Sequence, residues 1–197
     1  MRARSQSILS WALALGALAA PVPARAQAME ARPETSTPRD GQRDFDFLIG
    51  KWKYHLKRLE KPLTGSTKWL EFEGTGECRP IWDGDAQIDT ISADGPSGNV
   101  QGLTLRLYDP KAHQWSLHWA NRKNGVLAPP PTVGSFDEKN GRGEFFDHES
   151  YNGRMILVRY VWKDITPHSA RFEQSFSEDG GKTWELNWIT TQERIDK

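Results

Sequence analysis

The chain has 197 residues with 26 basic and 26 acidic side chains, nine tryptophans and one cysteine. Balanced charge leaves no electrostatic footprint for nucleic acid, whose binders depend on phosphate attraction. A single cysteine excludes an intramolecular disulfide, so the core must hold without covalent staples.

At the start of the chain, Arg2 and Arg4 precede an apolar run from Ile8 to Ala20, followed by Pro21-Val-Pro and Ala24-Arg-Ala26. This is the pattern of a secretory signal peptide over residues 1–26, which predicts a periplasmic or secreted protein. Cleavage after Ala26 removes Arg2, Arg4 and Arg25 and no acid, so 26 basic residues become 23 against 26 acidic. The apolar run falls short of the about 20 residues that span a bilayer, and no membrane span is expected after cleavage. Residues 27–43 hold Pro33, Pro38 and many charged or hydroxyl side chains with almost nothing apolar, and read as a disordered tether. Residues 44–197 are then one domain of ordinary size.

Phe45-Asp-Phe47-Leu-Ile-Gly50 is an apolar plug that predicts a short N-terminal turn or helix. Trp52, Tyr54 and Leu56 alternate with Lys51, Lys53, His55 and Lys57, which marks a first strand. Alternation resumes at Lys68–Glu73, after which Gly74, Gly76 and Pro80 are expected to break or bend the chain. Further strands are predicted over Ala86–Ala93 and around Leu103, Leu105 and Leu107, separated by the turn cluster Asp94-Gly-Pro-Ser-Gly98. Trp115, Leu117, Trp119 and Asn121 share one face of the next strand, and the proline-stiffened stretch 123–131 follows. Val133–Asp137 and Gly143–Glu149 flank Asn140-Gly141, a strong hairpin dipeptide.

The final strands place Tyr160, Trp162, Phe172, Gln174, Phe176, Leu186 and Trp188 on one face, with Arg159, Arg171, Glu173, Glu185 and Asn187 on the other. Gln174 is an amide among rings, where it needs a partner or a ligand. About ten short strands with no helical period predict an all-β, antiparallel, up-and-down barrel, whose closure removes both edges.

Gly50-x-Trp52 at the start of the first strand and Arg194 at the end of the last resemble the calycin arrangement of lipocalins. The resemblance implies that Trp52 closes the barrel floor with Arg194 across its ring. The domain as a whole resembles the DUF1579-like bacterial proteins. The likeness rests on Phe45-Asp-Phe47, Cys78-Arg-Pro80, Leu105-Arg-Leu-x-Asp-Pro110, Trp115, Trp119-Ala120, Gly134-x-Phe136, Ser169-Ala-Arg-Phe-Glu-Gln174 and Asn187-Trp188. It implies a calycin-like barrel and brings no established reaction. Ser177-x-Asp179-x-Gly181-x-Thr183-Trp184 fits the Asp-box of sialidase-type propellers. One copy builds no propeller, so its reading is a structural hairpin in which Asp179 accepts turn amides and Trp184 folds over the loop.

No nucleophile motif, zinc spacing or cofactor signature stands out, so neither a metal nor a cofactor is expected. A haem reading through the distantly similar nitrobindins fails because the last strand holds no histidine. Asp83 with Asp85 and Asp147 with Glu149 are carboxylate pairs expected to be solvated, and Cys78 is expected to be a buried, inert thiol. The candidate interior residues are Asp89, Arg106, Trp119, Asn121, Trp162, Phe172, Gln174 and Trp188. Arg79 is a further polar residue within a strand run. Two functions follow: a monomer or homodimer binding a small hydrophobic or aromatic ligand inside the barrel, or an isomerase, decarboxylase or hydrolase acting there through Arg106, Asp89 and Gln174.

Overall fold

The computed structural model describes residues 40–195. The expected signal peptide and most of the expected tether lie outside the described residues. Ten strands follow one another as β1 (Gly50–Leu59), β2 (Trp69–Ile81), β3 (Ala86–Gly95), β4 (Gly98–Asp109) and β5 (Gln114–Asn121), then β6 (Thr132–Asp137), β7 (Arg142–Tyr151), β8 (Arg154–Lys163), β9 (Ser169–Ser177) and β10 (Glu185–Arg194). Each pairs antiparallel with the next, and β1 pairs with β10, which closes the barrel. Closure runs in register from Trp52 opposite Arg194 to Arg58 opposite Trp188. The period-two alternation sends one set of side chains inward along every strand.

One end of the barrel is packed solid. A single 3-10 turn, Asp46–Leu48, pushes Phe45 and Leu48 into the lumen against Cys78, Trp115, Leu117, Phe145 and Trp162. Phe45 is fully buried and meets Trp115 and Phe136 edge-on, with ring centroids 5.3 and 5.0 Å apart. Beneath this plug, Trp52 Nε1 donates to Leu48 O at 2.6 Å, and Arg194 Cζ lies 4.2 Å from the Trp52 ring centroid. The Arg194 guanidinium also donates to the Ile49 and Phe47 carbonyls, both at 2.7 Å. Gly50 is required there: at φ +124° a Cβ would stand 2.6 Å from Arg194 Nη1.

Residues 40–43, expected to be tether, are turns docked on this floor. Trp115 Nε1 donates to Gly41 O at 2.9 Å, and the Tyr108 hydroxyl bonds Asp40 O. The ring-lined floor supplies donors that a polar segment alone does not reveal.

Two further expectations are corrected. β2 runs unbroken through Gly74, Gly76 and Pro80. Gly76 is small because a Cβ there would come within 2.6 Å of the Tyr54 ring and 1.9 Å of Thr90 O, so the glycine marks close approach rather than a break. In β10 a bulge between Leu186 and Trp188 reverses the expected facing of the first residues. Glu185 pairs with Phe176 and Leu186 with Ser175, while Asn187, expected outside, is buried.

Candidate functional site

Above the plug the lumen is open. A chamber of about 200 Å³ lies between the rings of Trp119, Trp162, Phe172 and Trp188 and the aliphatic side chains of Ile91, Val100 and Leu117. All eight interior candidates, Asp89, Arg106, Trp119, Asn121, Trp162, Phe172, Gln174 and Trp188, line it. Tyr160, which sequence placed on one face with Trp162, also lines it, and so do Tyr54, Arg58, Thr104, Thr190 and Gln192, which were not among the interior candidates. Their signal was the same alternation: Tyr54 lies two residues from Trp52 and from Leu56, and Gln192 lies two and four residues beyond Thr190 and Trp188. Arg79, the remaining polar candidate, is exposed.

Three polar groups, Arg106, Asp89 and Tyr54, form one cluster in the lining. Arg106 Nη2 donates to Asp89 Oδ2 at 2.9 Å, with the arginine side chain 2 % exposed and the aspartate 16 %. The Tyr54 hydroxyl donates to Asp89 Oδ1 at 3.4 Å. Burial, then the neighbouring Asp89 charge, pushes the Tyr54 hydroxyl well above its usual range. The guanidinium also lies over rings, with Cζ 5.0 Å from the Phe45 centroid and 5.8 Å from that of Trp162. Just below, Cys78 Sγ donates to Gln87 Oε1 at 3.5 Å, and burial raises the thiol pKa to about 12. Such a thiol is no nucleophile.

Of the two expectations for Gln174, a partner or a ligand, the protein itself supplies the partner. Gln174 Nε2 donates to Asn187 Oδ1 at 2.8 Å, so the amide is held by the residue that the β10 bulge turns inward. Trp188 Nε1 is likewise bonded to Thr190 Oγ1 at 2.9 Å.

The carboxylates of β7 are also corrected. Asp147 and Glu149 face inward beside Tyr160 and are half-buried rather than solvated. Thr132 Oγ1 donates to Asp147 Oδ2 at 2.6 Å. Burial raises both carboxyl pKa values, and the Asp147 charge adds to the rise at Glu149. Neither lines the chamber. Asp83 and Asp85 are exposed. Among the described residues, no group of three or more His, Cys, Asp or Glu could hold a metal ion, and no helix is long and apolar enough to cross a membrane.

At the mouth, the β1–β2 loop reaches over β10 to β8. Leu63 N donates to Glu185 Oε1 at 2.6 Å, and the Leu63 side chain packs on Ile156, Val158 and Phe176. The Asp-box hairpin lies beside it: Asp179 Oδ1 accepts from the Lys182 and Thr183 amides, each at 3.0 Å, and Oδ2 from Thr183 Oγ1 at 2.7 Å. These bonds hold the Asp179 carboxyl far below the usual range. Trp184 folds back outside the barrel, where its Nε1 meets Gly181 O and Arg159 covers its ring at 4.5 Å. The motif is a turn, and none of its residues lines the chamber.

A larger depression of about 890 Å³ opens on the outer wall between β2 and β5, lined by outward residues such as Ile88, Thr90, Leu103 and Leu105. Among the described residues, its lining contains no buried polar atom lacking a partner, whereas that of the chamber does.

No protein-family model matches the chain, and no curated protein matches it. Among solved structures it is similar to the S-type phycobiliprotein lyase CPES from Guillardia theta, at 13 % identity and a TM-score of 0.52, over 78 % of this chain and 91 % of the lyase. It also matches the redesigned β-barrel mFAP0 bound to DFHBI, at 11 % identity and a TM-score of 0.41, over 75 % of this chain and 99 % of that one. A third match is a fluorescence-activating β-barrel of de novo design, at 13 % identity and a TM-score of 0.36, over 76 % and 95 % of the two chains. The first of these likenesses is one of fold alone.

Proposed function

We propose that this protein is an exported, DUF1579-like barrel of calycin type that binds a small, mostly apolar ligand in its chamber. One observation carries the reading: a barrel packed to contact at its inner end keeps a ring-walled space of about 200 Å³ directly above. Native interiors hold few voids larger than a water molecule, and leaving one open costs stability unless something uses it. A cavity of about 150 Å³ lined by apolar side chains accepts benzene, so this chamber suits one ring with a compact substituent.

The enzyme reading is less well supported by the same geometry. It requires Arg106, Asp89 and Gln174 to act on one substrate, but Asp89 is already bonded by Arg106 and Tyr54, and Gln174 is committed to Asn187. A general acid or base needs a free hydrogen-bonding position towards its substrate.

Native mass spectrometry of protein recovered from its own cell envelope tests both halves of the proposal. The expected species begins near Gln27 and carries one small organic molecule, which the chamber-filling variant Thr104→Trp lacks. An intact N-terminus would end the export reading. The same adduct on Thr104→Trp would end the binding one.

A further inference from the structure

The polar atoms around the chamber are unbalanced. Arg106 Nε and Nη1, Trp162 Nε1 and Gln192 Nε2 are all buried, and no acceptor among the described residues reaches them. Their side chains are at least nine-tenths buried, with Arg106 and Gln192 2 % exposed and Trp162 5 %. All three line the chamber. They belong to one inner-end group: Gln192 pairs with Tyr54 across the β1–β10 seam, Tyr54 bonds Asp89, Asp89 bonds Arg106, and Arg106 lies beside the Trp162 ring. Every orphan atom in this group is a donor. Among the described residues the one unpartnered buried oxygen, Asp147 Oδ1, does not line the chamber.

Buried donors without acceptors are rare in native proteins, and beside a chamber the acceptor is supplied by an ordered water or by the oxygen of a ligand that displaces it. The charge balance narrows the nature of such a ligand. Arg106 is already matched by Asp89 at 2.9 Å, so an anionic head group would enter beside an existing carboxylate. Like charges in a site of low dielectric repel strongly. An uncharged oxygen with two lone pairs meets the donors without that penalty.

We propose that the chamber recognises an uncharged carbonyl group on a single aromatic or similarly compact apolar body, with the oxygen directed at Arg106, Trp162 and Gln192 and away from the mouth. This rests on the chamber being a ligand site. It adds the class of head group and the direction in which the ligand enters.

Three probes of nearly equal size separate the possibilities: acetophenone, ethylbenzene, which replaces the carbonyl by a methylene, and benzoate, which replaces the ketone by an anion. Calorimetric titration of the wild-type protein is expected to give acetophenone at least about tenfold tighter than ethylbenzene, the worth of one satisfied hydrogen bond. Benzoate is expected to be weaker than acetophenone by a similar factor. Asp89→Asn keeps the size and an acceptor oxygen for Arg106 but leaves the guanidinium uncompensated, so benzoate should there gain at least about tenfold over its wild-type affinity. Gln192→Met removes one donor, fills similar volume and should narrow the gap between acetophenone and ethylbenzene, which keeps the test intact should Asp89→Asn fail to fold. Equal binding of acetophenone and ethylbenzene, or benzoate as the tightest wild-type ligand, would overturn the head-group assignment while leaving the chamber a ligand site. Failure of all three probes to bind would overturn both.

Discussion

Replacing the Arg106–Asp89 pair separates the stability of the barrel from the use of its chamber. Asp89→Leu leaves a guanidinium that is 2 % exposed with rings for neighbours and no acceptor among the described residues. Arg106→Met leaves Asp89 with the Tyr54 hydroxyl at 3.4 Å and 16 % exposure. Removing one member of a buried ion pair costs about 3–5 kcal/mol. Asp89→Leu belongs at the upper end, because the cation it strands cannot lose its charge, and Arg106→Met at the lower end, because a partly exposed carboxylate finds water. The double variant, Arg106→Met with Asp89→Leu, should return to within about 1 kcal/mol of wild type or exceed it, since well-packed apolar replacements of buried pairs are neutral to stabilising. Urea unfolding followed by tryptophan fluorescence measures all four proteins, with an unchanged denaturant slope as the check on two-state behaviour. The single variants should be badly destabilised, and the double variant should be stable but discriminate acetophenone from ethylbenzene less than wild type does, since the Trp162 and Gln192 donors remain. A double variant that loses the sum of the two single losses would show no coupling between the two side chains and refute the ion-pair reasoning.

Trp52→Ala removes a fully buried ring, its bond to Leu48 O and the surface under Arg194, and should cost about 3–5 kcal/mol by urea unfolding, with Arg194→Ala near about 1 kcal/mol or somewhat above. Gln174→Leu strands the buried Asn187 oxygen and should cost about 1–3 kcal/mol, and adding Asn187→Leu should recover most of that loss in the same measurement. Asp147 and Glu149 have folded pKa values raised above their unfolded ones, so their protonated forms favour the folded state. Their contribution is full below about pH 4 and is lost as pH rises through the folded values. Thermal unfolding of Asp147→Asn against wild type should therefore show the variant gaining relative stability as pH rises above about 4, and a pH-independent difference would contradict the burial argument.

Most of the fold was legible because period-two alternation is a physical requirement of a sheet wetted on one face. Trp115, Leu117, Trp119 and Asn121 could be assigned to one face from spacing alone, and closure then brought Leu117, Trp119 and Asn121 together with Trp162, Phe172 and Trp188 around one chamber. Alternation fails where the backbone adds a residue. The bulge at Asn187 turned an outward expectation into a buried partner for Gln174, and no side-chain pattern announces it. Gly74 and Gly76 read as breaks because glycine at a crowded crossing and glycine at a turn look alike in sequence. The inward position of Asp147 and Glu149 was present in the parity of β7, where they share a face with Phe145, but composition argued for solvent and parity was the better guide. The pairing of Arg106 with Asp89 joins residues on neighbouring strands, and only the β3–β4 register decides it.

The central claim is that the interior, and not the larger depression on the outer wall, takes the ligand, with its carbonyl at the inner end. The most direct measurement is a crystal structure of the protein with para-bromoacetophenone, locating the bromine by anomalous scattering. The account predicts bromine inside the barrel towards the mouth, near Trp119 and Trp188, with the carbonyl oxygen within about 3.2 Å of at least one of Arg106, Trp162 and Gln192. Bromine on the outer wall beside Leu103 and Leu105, with the chamber unchanged, would contradict it.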